Sequence, residues 1–110
     1  MMTALILTTR ATAEGAVLAV AGDLDHESAD RFRAAADTVT LEPGQLLTVD
    51  LAALTFCDST GITALIAARN HTQAQDAGIV LTGVPAATLR ILRMLGLDQI
   101  FSIHPAPEPG

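Results

Sequence analysis

The chain is expected to fold as an α/β domain with a mixed, mainly parallel sheet, in the order β-β-α-β-α-β-α-β. Three observations predict this. Its 110 residues are the length of one ordinary domain. Half of them are hydrophobic, which suffices for one core but not for a second domain of useful size. After two opening strands, short apolar runs alternate with segments of helical period, and such alternation implies crossover connections.

The first strand is read at Ala4 to Thr8 and the second at Ala16 to Ala21, where Val17 and Val20 favour extended chain. Thr12 to Gly15 between them is polar and ends in glycine, so the pair reads as a hairpin. Gly22-Asp23-Leu24-Asp25-His26 breaks the pattern, and Asp25 is an N-cap candidate for the helix that follows. Ala29, Phe32, Ala36 and Val39 recur at helical spacing, and Glu42-Pro43-Gly44 ends that unit. Leu46 to Leu51 is almost continuously apolar and reads as a strand buried on both faces.

A second helix is expected from Asp58-Ser59-Thr60-Gly61 onward, carried by Ile62, Leu65 and Ile66. Its polar half, Arg69 to Asp76, is placed at the surface, and Gly78 is read as its left-handed C-terminal stop. Ile79 to Thr82 is a short strand. Pro85 opens a third helix containing Leu89, Leu92 and Leu95, with Arg90 and Arg93 outward and Gly96 at its end. Ile100 to Ile103 is a last strand. The domain is assigned to residues 1–104, and the proline-rich segment 105–110 is read as a loose tail.

Composition narrows the function. The aromatic residues are three Phe, so Leu, Ile, Val and Ala must build the core, and Ala allows close approach of helix to sheet. The net charge is −6 and all six basic residues are Arg. With no basic cluster, neither nucleic acid nor an anionic membrane surface is an expected partner. Cys57 is the only cysteine, so neither an intrachain disulfide nor a CxxC zinc site is expected. The N-terminus lacks the pattern of a signal peptide, and no stretch approaches the roughly 18 apolar residues of a membrane span. A cytoplasmic location is expected.

The hydroxyls of Ser59 and Thr60 stand at a helix start, where free N–H groups and partial positive charge gather. One reading is that either residue caps the helix. The other is phosphorylation at Ser59, an added charge that the helix end tolerates and a partner surface does not. Catalysis by Ser59 is a weaker reading. The Gly-x-Ser-x-Gly elbow is missing, and of the histidines only His26 is placed to approach. No enzyme activity is expected.

There is no Walker A sequence, no G-x-G-x-x-G and no H-E-x-x-H, so no cofactor or metal is expected. Asp23, Asp25 and His26 read as a capping loop in preference to a divalent-ion site. Cys57 reads as a buried structural thiol. The apolar face of Leu89, Ile91, Leu92, Met94 and Leu95 is wider than one core stripe requires, and part of it reads as an exposed patch.

Three segments, Gly22-Asp23-Leu24-Asp25-His26, Leu47-Thr48-Val49-Asp50-Leu51 and Phe56-Cys57-Asp58-Ser59-Thr60-Gly61, together resemble the STAS domain of bacterial anti-sigma factor antagonists. Leu89 to Leu97 resembles that family's last helix and following turn, and the likeness runs from about Leu5 to Ile103. The resemblance implies helices packed chiefly on one face of the sheet. It implies binding to an anti-sigma factor that is also a serine kinase, release of a sigma factor, and phosphorylation of Ser59 that switches binding off and that a phosphatase reverses. Asp23, Asp25, His26, Asp58, Ser59, Thr60 and Gly61 are the implied partner-binding residues, with Thr60 a second candidate acceptor. A monomer or weak dimer is expected. The alternative is a non-phosphorylated STAS subunit of a sensory or lipid-transport assembly.

Overall fold

A computed structural model describes residues 3–106. Of the tail expected over 105–110, residues 107–110 lie outside the described residues. Strands β1 (Ile6–Thr12) and β2 (Gly15–Leu24) form the hairpin, and β3 (Leu46–Cys57), β4 (Gly78–Thr82) and β5 (Ser102–His104) follow. Helices α1 (Ala29–Asp37), α2 (Ser59–Ala74) and α3 (Ala86–Met94) lie between them, and a 3-10 turn at Leu97–Gln99 precedes β5. The expected order of strands and helices is observed. Strand order in the sheet equals chain order, with β1 antiparallel to β2 and every later pair parallel.

Side-chain alternation shows where the core sits. Along β2, Ala16, Leu18, Val20 and Leu24 are buried, while Val17, Ala19, Ala21 and Asp23 are half-buried. Along β3, Leu47, Val49 and Leu51 are buried and Thr48 and Asp50 are half-buried. This corrects the reading of β3 as buried on both faces. The helices cover chiefly one side, so the apolar character of the other side is only partly used.

Alanine brings helix and sheet together as expected. Ala29, Ala36, Ala64 and Ala68 are all buried, and short side chains let the helix axes approach. Phe32 on α1 is fully enclosed and is the largest side chain to be so. The second half of α2 lies at the surface as its polarity suggested, but not along its whole girth: Asn70, Gln73, Ala74 and Asp76 are exposed, whereas Arg69, His71 and Gln75 are half-buried. Ala68 and Thr72 are buried, because α2 is flanked by α1 on one side and packs on β3 and β4 beneath. Its polar side chains serve the α1–β3 connection. The Gln75 side-chain carbonyl accepts from the Leu41 N–H at 2.7 Å, and His71 Nε2 lies 3.0 Å from the Val39 carbonyl.

The end of α2 differs from expectation in a second respect. Asp76, at φ 55°, takes the left-handed position. Aspartate tolerates that conformation because its short polar side chain bonds locally. Gly78 instead opens β4, and a Cβ there would stand 2.7 Å from Leu46 Cδ2.

Replacing Phe32 by Ala removes the largest enclosed side chain, and an enclosed aromatic is worth about 3–5 kcal/mol. That is a large part of the stability of a domain this size. Urea unfolding of F32A is expected to show a loss of that order. A loss under about 1 kcal/mol would mean that α1 is not held as described.

Candidate functional site

The site is built where β2 and β3 end side by side. The two strands run parallel, so Leu24 pairs with Cys57 and both chains leave the sheet at the same edge. From there β2 turns into α1 and β3 turns into α2. The connecting turns therefore meet.

Asp58 joins them. It is the N-cap of α2, with extended backbone, and its Oδ1 accepts from the Gly61 N–H at 2.9 Å. Its Oδ2 accepts from the His26 N–H at 3.2 Å, across from the β2–α1 turn. His26 Nδ1 lies 3.8 Å from the same oxygen, and the imidazole is largely exposed. The Asp58 N–H donates to the Leu24 carbonyl at 3.3 Å. One residue thus satisfies a helix-start donor and ties the two turns together.

This arrangement decides between the two residues read as caps. Neither Ser59 nor Thr60 caps α2, because Asp58 already does so. Ser59 is the first residue of the helix and is exposed. Its backbone carbonyl accepts from Thr63 Oγ1 at 2.9 Å, but its own hydroxyl makes no hydrogen bond among the described residues. Thr60 is half-buried. Gly61 is buried against the strand ends, and a Cβ there would stand 2.7 Å from Cys57 Sγ and collide with the Leu24 carbonyl oxygen. Only glycine lets α2 start this close to β2.

The β2–α1 turn is internally bonded. Asp25 is buried, and its Oδ1 accepts from the Glu27 and Ser28 N–H groups at 3.0 and 3.2 Å and from Ser28 Oγ at 3.1 Å. It caps the turn that leads into α1, three residues ahead of the assigned cap position at Ser28. Asp23, at the end of β2, accepts from Thr55 Oγ1 at 2.6 Å and from the Thr3 N–H at 3.0 Å. These bonds, that of Thr55 foremost, hold its carboxyl below the usual 3.8. Thr55 was not singled out in the sequence because β3 was expected to stop at Leu51, whereas it continues to Cys57.

Cys57 is buried beneath the cap, and burial, helped by the Asp58 charge, pushes its thiol up to about 12. It is a structural thiol. Ser59 has no hydrogen bond to His26, so the base that a nucleophilic serine requires is not in place. No group of three or more His, Cys, Asp or Glu is arranged for a metal ion among the described residues. No described helix is long and apolar enough to cross a membrane.

An apolar groove of about 440 Å³ begins at this site. Cys57, Asp58 and Ser59 close one end, Ile62 and Ile66 of α2 form one wall, and Ile91 and Leu95 form the other. The wide apolar face read on the third helix is therefore divided. Leu92 is fully buried, while Met94 is 78% and Leu95 61% exposed. Phe56 adds a further exposed ring two residues before the cap.

Residues 7–103 match the family model described as Mlab, STAS domain. The anti-sigma-B factor antagonist of Listeria monocytogenes is 27% identical over 84 residues, which cover 76% of this chain and 74% of that protein. An anti-sigma factor antagonist from Mycobacterium paratuberculosis shares the fold at a TM-score of 0.76 and 23% identity, over 92% of this chain and 86% of that one. The Bacillus cell fate determinant SpoIIAA in its phosphorylated form shares it at 0.70 and 22% identity, over 96% and 93%.

Two outcomes follow from the capping geometry. Asp58→Ala should lower stability by about 1 kcal/mol, whereas Ser59→Ala should change it by less than about 0.5 kcal/mol. Chemical denaturation of both variants checks this, and a larger loss at Ser59 would reassign the cap. Asp23 is bound more tightly as the carboxylate, so its contribution is complete above the usual 3.8 and fades as pH falls through the lower folded value. Stability measured from about pH 5 down to about pH 2 should fall less steeply in Asp23→Ala than in the wild type.

Proposed function

The chain belongs to the STAS domain family, and on that premise we propose that it is an anti-sigma factor antagonist whose partner binding is switched off by phosphorylation of Ser59. The partner is an anti-sigma factor with serine kinase activity, whose sigma factor is released when this chain binds. A phosphatase acting on the phosphoserine resets it. The chain itself acts by binding, in the cytoplasm, and not as a catalyst.

One observation carries the reading. Asp58 takes the capping role, so the Ser59 hydroxyl is exposed and uncommitted at the first turn of α2. A kinase can reach it without opening the fold. The phosphate adds close to two negative charges. The N–H groups and dipole of the helix start offset part of that charge, so the domain stays folded. The partner surface meets a large anion where it had met a hydroxyl. Asp23, His26, Asp58, Ser59 and Thr60 form the polar face of the contact. Asp25 and Gly61 act beneath it, one by closing the β2–α1 turn and the other by seating α2 against β2. The antagonist named in Listeria and the phosphorylated form of SpoIIAA are in keeping with this role.

Intact mass and peptide mapping after incubation with ATP and extract of the producing cell provide the test. One added phosphate on Ser59, absent in Ser59→Ala, is expected, together with loss of anti-sigma factor binding in Ser59→Asp. No phosphate on Ser59 or Thr60, in an extract that modifies a control substrate of this family, would favour the non-phosphorylated subunit of a sensory or lipid-transport assembly.

A further inference from the structure

The side of the sheet away from the helices is apolar without being enclosed. Val17, Ala19 and Ala21 of β2 alternate with the buried Leu18 and Val20, so they point to that side, and they are only half-buried. Val80 of β4 pairs with Thr48, which pairs with Val17, and it is half-buried on the same side. Ile6, paired with Ala21, is 63% exposed there. Strands β2 to β5 run parallel, and parallel strands seldom leave a face to water.

Two opposite charges on this side point to what covers it. Arg10 pairs with Val17 and Asp50 with Ala19, so both side chains share the open side with those residues. Arg10 is exposed, with no ion pair or hydrogen bond from its side chain among the described residues. Asp50 accepts from the Ala52 N–H through Oδ1 and has no cation beside it among the described residues. The two stand on β1 and β3, on either side of β2. A two-fold axis running along β2 exchanges those positions. Laid face to face about that axis, two copies place β1 of each over β3 of the other, and Arg10 of each against Asp50 of the other. Ala19 and Ala21 then lie along the axis, where short side chains let the two sheets close. The chain carries a net charge of −6, so like copies repel over most of their surfaces. Here the facing charges are opposite. The remaining titratable groups on this side stand apart from the overlap: Asp23 is bonded to Thr55 at the end of β2, and His104 is on the outermost strand β5.

We propose that the open face of β1, β2 and β3 is a symmetric interface with a second copy of this chain, closed by reciprocal Arg10–Asp50 ion pairs. The helices pack on the opposite side of the sheet, and Ser59 opens one of them, so each copy of the pair keeps that hydroxyl exposed. The proposal does not depend on the reading of Ser59 as a switch.

Sedimentation velocity of the full chain between about 10 µM and about 1 mM tests it. The wild type should show a reversible dimer. Arg10→Glu sets two carboxylates against each other and Asp50→Arg sets two guanidinium groups against each other, so each variant alone should dimerise about tenfold or more weakly. An equimolar mixture of the two variants restores opposite charges at both contacts and should dimerise as the wild type does. A defect in the fold of either variant would give no such rescue. Should Asp50→Arg not fold, Arg10→Glu and Ala19→Arg decide, the first at an exposed edge and the second on the axis, and both should weaken the dimer. A wild type that stays monomeric to about 1 mM would overturn the proposal. So would a dimer that Arg10→Glu leaves unchanged, or a mixture of folded variants no tighter than either alone. No phosphate or anti-sigma factor enters the measurement, so failure here leaves the Ser59 reading standing, and failure of the phosphorylation test leaves this interface standing.

Discussion

The carboxylate of Asp58 is the interaction on which the site depends. Its two oxygens accept from two elements, the start of α2 through Gly61 and the β2–α1 turn through His26. Parallel strands alone bring those turns only near each other. The shared carboxylate sets their spacing, and the absent Cβ at Gly61 lets α2 begin against the Leu24 carbonyl. Everything assigned to the surface at Ser59 follows from a cap supplied one residue earlier. Had Ser59 been the cap, its hydroxyl would have faced inward to a backbone N–H, and modification would have removed a helix-start bond.

The same economy of space produces the groove. Alanine and glycine draw α1 and α2 down onto the sheet, as the burial of Ala29, Ala36, Ala64 and Ala68 shows. Helix α3 carries larger side chains and is held to the core mainly through Leu92 and Thr88. Ile91 and Leu95 therefore stand off from α2 instead of interlocking with it, and a cleft remains. A tight helix pair beside a looser third helix keeps the apolar surface next to Ser59 available while the hydrophobic core stays closed.

Much of this was legible in the sequence, and the rest was hidden for identifiable reasons. The order of elements followed from alternation of period, and the burial of Phe32 and Ala36 from helical spacing. Strand β3 was expected to stop at Leu51 because the irregular pairing of β2 with β3, between Ala19 and Ala21 and again between Gly22 and Asp23, shifts the two-residue period by which strands are recognised. That hid Thr55 and its bond to Asp23. Asp58, Ser59 and Thr60 are all capping types, and only backbone geometry separates them. The polar half of α2 looked wholly solvent-facing because polarity reports hydrogen bonding as well as exposure. His71 and Gln75 use theirs on the Val39–Leu41 connection. The wide apolar face of α3 was visible as a pattern, but the opposing wall lies some thirty residues earlier on α2, so the cleft belongs to the fold and not to any one segment.

In the switch proposed at Ser59, the cost of modification to the fold is separate from its cost to the complex. On the fold side, a phosphate at Ser59 meets the positive end of α2 and bulk water, and a helix start stabilises an anion by a few tenths to about 1 kcal/mol. Asp58 lies next to it and offsets part of that gain, so the folded domain is nearly indifferent to the change. In the proposed complex the same charge would be desolvated beside Asp58 and the apolar walls of Ile62 and Ile91, and an unpaired charge buried in an interface costs several kcal/mol. The difference between these terms would be the signal of the proposed switch. It would be large because the Ser59 hydroxyl sits at the seam between a helix start that tolerates anions and an apolar cleft.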